Sequence, residues 1–154
     1  MRALRLVITL ALTGCLPPSA SERVTDAARE LNLAARFGRM DIALGLTSAE
    51  LRSGFLQSRA GWGKNVRVVD VELAGLSMPS AERATLEVDY AWARVDESML
   101  RTTRVSQDWR DRGKGFQLVR ERRLAGDLGL FGEAVETPPS EPSPDVHFPV
   151  KVIH

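Results

Sequence analysis

The sequence predicts an α+β domain in which three N-terminal helices pack on a curved four-stranded antiparallel sheet. Three observations carry this. Apolar residues recur at helical spacing up to about residue 62, the pattern changes to strict alternation after Lys64, and short polar or glycine-rich breaks divide the alternating part into four strands. A chain of 154 residues with 44% hydrophobic content suits one domain with its own core.

From Glu22 to Phe37, Val24, Ala27, Ala28, Leu31, Ala34 and Ala35 form one apolar stripe, and Arg23, Asp26, Arg29 and Glu30 fall outside it. Ser21 is the expected N-cap and Gly38 the expected stop. Arg39 to Leu46 predicts a short second helix. Thr47-Ser48-Ala49-Glu50 then has capping-box spacing, so a third helix is expected to start there, with Leu51, Phe55 and Trp62 roughly on one face.

In KNVRVVDVELAGLSM, Val69, Val71 and Leu73 alternate onto one face of a first strand, which Met78-Pro79-Ser80 is expected to break. ERATLEVDYAWARV places Ala84, Leu86, Val88, Tyr90 and Trp92 on one face of a second strand and Thr85, Glu87 and Asp89 on the other. After a turn at Glu97-Ser98, a third strand carries Met99, Thr103, Val105 and Trp109 in one register. Arg112-Gly113-Lys114-Gly115 reads as a hairpin loop into the fourth strand, GFQLVRERRL. In that strand Arg120 and Arg122 share a face, and cross-strand pairing with acids of the second and third strands is their expected role.

Beyond Gly132 the chain reads EAVETPPSEPSPDVHFPVKVIH, with five of the eight prolines between residues 138 and 149. Residues 133–154 are therefore expected to be an extended or disordered tail. A short edge strand at His147-Phe148 and Val150–Ile153 is the alternative.

Charge and cysteine usage exclude several functions. Lys and Arg number 21 against 20 Asp and Glu, a balance with no net field to draw the chain onto nucleic acid. One cysteine, Cys15, cannot form an internal disulfide, and no Cys/His spacing supplies a zinc site. His147 and His154 both lie in the tail. No cofactor, metal centre or Cys/His catalytic pair is expected.

Arg2 and Arg5 precede the apolar run Leu6 to Leu12, which is followed by small Thr13 and Gly14 and then Cys15. Such an order marks an export signal, and the run is far shorter than the ~20 apolar residues that span a bilayer. Leu12-Thr13-Gly14-Cys15 resembles the bacterial lipobox. The resemblance implies cleavage after Gly14, a diacylglycerol thioether on Cys15 and acylation of the new amino group. Two or more acyl chains make anchoring stable, each buried CH₂ contributing about 0.8 kcal/mol. Leu16, being other than Asp, implies sorting to the periplasmic face of the outer membrane. Residues 1–14 are then a signal peptide, and residues 15–21 the lipidated cysteine with a linker that reaches ~20 Å. Residues 22–132 are the domain.

The order of elements, Trp62-Gly63 before the first strand and the ending QDWRDRGKGFQLVRERRL resemble the nuclear-transport-factor-2-like superfamily, also called ketosteroid-isomerase-like or cystatin-like cones, over roughly residues 22–132. The resemblance implies a cone-like fold with a cavity whose wall would include Tyr90, Trp92 and Trp109, and it implies a homodimer as one partner. Its enzymes place an Asp, Tyr or His in an apolar cone, where burial raises a carboxyl pKa. Asp70, Glu72, Asp89 and Tyr90 are the candidates here. None has a histidine beside it, and Asp89 alternates away from the apolar row, so no catalytic residue is assigned. Two classes of function remain: a non-catalytic envelope lipoprotein binding a protein partner or small apolar ligand, and an isomerase- or dehydratase-type enzyme at the membrane surface.

Overall fold

The computed structural model describes residues 17–135. The expected signal peptide, Cys15, Leu16 and the chain from residue 136 onward, with both histidines, lie outside the described residues. The class is α+β with a four-stranded antiparallel sheet, as expected. Helix α1 spans Ala20–Arg36, α2 Met40–Gly45 and α3 Arg52–Ser58, and strands β1 Val66–Ser80, β2 Arg83–Arg94, β3 Leu100–Asp111 and β4 Phe116–Gly126 follow. The sheet order is β1-β2-β3-β4, so every connection is a hairpin and β1 and β4 are the edges.

Helix α1 starts earlier than its apolar stripe. Its N-cap is Ser19, not Ser21: Ser19 Oγ accepts from the Glu22 backbone N–H while Ser19 N–H donates to the Glu22 carboxylate, a complete capping box. Its buried stripe of Val24, Ala28, Leu31, Ala34 and Ala35 packs on Leu86, Trp109, Phe116 and Leu118 of the sheet. Gly38 takes a positive φ of 73° just past the C-cap Phe37, the conformation that stops a helix at little cost.

The expected start of the third helix is overturned. Ser48 N–H donates to Leu118 O, Leu118 N–H donates to Leu46 O, and Thr47 forms a parallel bridge with Leu118. Residues 46–48 therefore prolong the edge of the sheet beside β4, and α3 begins only at Arg52. A capping box needs its first residue free of other backbone partners. Here Thr47 N–H donates to Leu44 O and the Thr47 hydroxyl to Ala43 O, both in α2, while its two neighbours bond to β4.

Two strands also differ from the alternation. The register of β1 against β2 shifts between Val68 and Asp70, a bulge that leaves Val69 40% exposed while Val66 and Val68 before it are buried. Met78 and Pro79 do not end β1 but occupy the third of its register shifts, before Ser80 pairs with Arg83. An edge strand tolerates proline there because no ladder bond is required of it. Met99 lies before β3 and is exposed, whereas Thr103, Val105, Gln107 and Trp109 are buried. Strand β2 follows its predicted alternation, with Ala84, Leu86, Val88, Tyr90 and Trp92 buried.

Candidate functional site

The face of the sheet turned toward the helices is where the resemblance puts a cavity. A polar network occupies its middle, flanked by a cleft of about 290 Å³ beside Leu51, Phe55, Glu121 and Phe131 and one of about 400 Å³ beside Asn32, Leu33, Val71 and Leu73. Tyr90 from the middle of β2 donates its phenolic O–H to Asn32 Oδ1 of α1. Gln107 Nε2 of β3 donates to the same Oδ1 and to Glu121 Oε1 of β4, each at 2.9 Å, and Asn32 Nδ2 returns a bond to Gln107 Oε1 at 3.1 Å. The network ends on Arg59, just past α3, whose Nη2 lies 2.8 and 2.7 Å from the two Glu121 carboxylate oxygens.

Aromatic rings close this chain of polar groups. The Arg59 guanidinium sits 3.7 Å from the centre of the Phe55 ring, 4.9 Å from Trp62 and 5.0 Å from Phe131. Trp62 and Phe131 stack on one another, and both meet Tyr90 edge-on. Burial, reinforced by the charge of Glu121, pushes the Tyr90 phenol far above its ordinary value. A phenol in that state is a neutral donor at physiological pH, not a base.

The three residues expected to line one cavity do different work. Tyr90 belongs to the polar network. Trp92 donates Nε1–H to Thr103 Oγ1 at 2.9 Å and packs with Val66, Val68, Val105 and Leu130 in one core cluster. Trp109 belongs to the other cluster, against α1, and its buried Nε1 has no hydrogen-bond partner among the described residues. They do not surround a common space.

The candidate acids lie apart from this interior. Asp89 accepts two 2.6 Å bonds from Arg104 on the opposite face of the sheet, and these hold its carboxyl below the usual carboxylate range. Asp70 pairs with Arg36 at 3.3 Å, and Glu72 is exposed on β1. Glu121 is the carboxylate that does reach the interior, and it arrives with its counter-ion. Sequence reasoning missed it because it stands between Arg120 and Arg122 and reads as part of a basic run. Arg59 carried a usable signal, since Phe55 and Trp62 flank it at helical distances. The pairing expected for Arg120 and Arg122 is absent: neither forms an ion pair among the described residues. Asp108, opposite Arg120, accepts from Thr85 instead.

No protein-family model matches the sequence, and no curated protein matches it. A solved structure of similar fold is the solution structure of a SEC-C motif containing protein from Rhodopseudomonas palustris. The two superpose with a TM-score of 0.58 at 16% identity, over 70% of this chain and 83% of that one.

Proposed function

We propose that this chain is a bacterial cell-envelope lipoprotein, anchored through lipidated Cys15 to the periplasmic face of the outer membrane, with a cone-like, non-catalytic domain that binds a protein partner. The observation that carries the anchor is the order Arg2, Arg5, an apolar run, then Leu12-Thr13-Gly14-Cys15, with the cap of α1 following at Ser19. The cap Ser19 stands four residues after the acylated position, a reach of about 14 Å. The domain then sits against the bilayer.

The pairing of the interior carboxylate Glu121 with Arg59 supports binding at a surface over catalysis in a cavity. A general base of the isomerase type needs a carboxylate in a dry apolar pocket with room for substrate. Glu121 is instead held by Arg59 and Gln107. Mass spectrometry of the N-terminus of protein isolated from membranes tests the anchor. A diacylglyceryl-modified Cys15 as first residue is expected, and an unmodified thiol there overturns the reading.

A further inference from the structure

The face of the sheet away from α1 carries a groove of about 560 Å³, lined among others by Arg83, Arg110, Arg112, Arg120, Glu50 and Asp108. Four cations face two acids. Arg112 lies 3.4 Å from Glu50, whereas Arg83, Arg110 and Arg120 form no ion pair among the described residues. Arg83 and Arg110 are moreover direct cross-strand partners. Like charges placed opposite one another destabilise a sheet, and a bound anion would relieve that repulsion.

The position of the groove identifies its occupant. Arg23 in the first turn of α1 pairs with Asp111 at 2.7 Å, and Asp111 N–H donates to Glu82 O. The start of α1, the β1–β2 turn and the β3–β4 hairpin thus share one end of the domain, the end where Arg83, Arg110 and Arg112 stand. That end is four residues from Cys15. Resting on the lipoprotein reading, the bilayer surface lies about 14 Å or less from Ser19, close to the Debye length of ~8–10 Å over which surface charge acts.

We propose that this groove binds the anionic phospholipid headgroups of the membrane that holds the anchor, fixing the orientation of the domain on the bilayer. The test uses the chain from residue 15 to residue 154 with Cys15→Ser and no lipid, which retains every described element and lacks both the apolar leader and the acyl chains. Its binding to phosphatidylcholine vesicles containing phosphatidylglycerol is compared, by co-sedimentation, with its binding to phosphatidylcholine alone. Preference for the anionic vesicles is expected, weakening as salt is added.

The variant Arg83→Gln/Arg110→Gln/Arg120→Gln should bind about fivefold more weakly per arginine removed, on the order of a hundredfold in all. Arg39→Gln/Lys64→Gln/Arg67→Gln loses the same charge at the opposite end and should bind like the parent. Thermal melts of both variants establish that they are folded, and the groove variant should melt no lower than the parent because a like-charge pair has gone. Equal binding to the two kinds of vesicle, or an equal loss in both variants, overturns the proposal. Modified Cys15 in cells without any preference for phosphatidylglycerol removes the groove and leaves the anchor standing. Unmodified Cys15 with groove-dependent vesicle binding does the reverse.

Discussion

Arg59 and Glu121 form a buried ion pair in which a single guanidinium nitrogen, Nη2, contacts both carboxylate oxygens at 2.8 and 2.7 Å, and the Arg59 side chain is 0% exposed. One comes from the segment after α3 and the other from β4, so the pair ties the helical layer to an edge strand. Arg59 Nε has no hydrogen-bond partner among the described residues, and three aromatic rings surround the cation. Removing its counter-ion would leave a charge in an apolar setting. Glu121→Ala should therefore cost about 3–5 kcal/mol in urea unfolding. The double change Arg59→Met/Glu121→Leu should cost less than Glu121→Ala alone. A loss below about 1 kcal/mol for the single variant would mean that the pair behaves like an exposed one.

Tyr90 is the one tyrosine of the chain, so its ionisation can be followed by phenolate absorbance without overlap. No phenolate should form as pH rises through ~10 while the fold persists, because burial raises the phenol well above that value. The native state then keeps a proton that the unfolded chain releases. Its contribution is present in full below the unfolded value near 10 and declines as pH rises above it. Tyr90→Phe should flatten that alkaline decline. At neutral pH it should cost about 1 kcal/mol, since Asn32 Oδ1 keeps the bond from Gln107. A phenolate signal at ordinary pH in the folded protein contradicts the buried network.

Glu133 gives the end of the domain a role that its proline-rich surroundings conceal. Its carboxylate accepts from Gly129 N–H at 3.0 Å and Phe131 N–H at 2.9 Å, and it lies 3.6 Å from Arg123. The described structure thus continues past Gly132, where the domain was expected to end. A chain ending at Gly132 should be less stable than one ending at Val135 by about 1–3 kcal/mol, the cost of two backbone donors losing a charged acceptor. Equal melting temperatures would show that residues 133–135 hold nothing.

Much of the fold was legible wherever one periodicity ran unbroken. The stripe from Val24 to Ala35 marked α1, and the row from Ala84 to Trp92 marked β2, because a central strand facing a core on one side must alternate. Val69 was not legible, since a bulge in β1 depends on how β2 pairs with it and leaves the local spacing almost unchanged.

The sequence by itself determined the class of fold and the buried faces of α1 and β2. These follow from interactions within a few residues, where spacing and side-chain type act directly. Only the tertiary structure decided that Thr47 pairs with β4 instead of capping a helix, that Glu121 turns inward to Arg59, and that Arg83 faces Arg110 beside the start of α1. Each of these joins positions far apart in the chain. Their proximity is set by how the hairpins register and where α1 lies across the sheet, and no local pattern of residues encodes that distance.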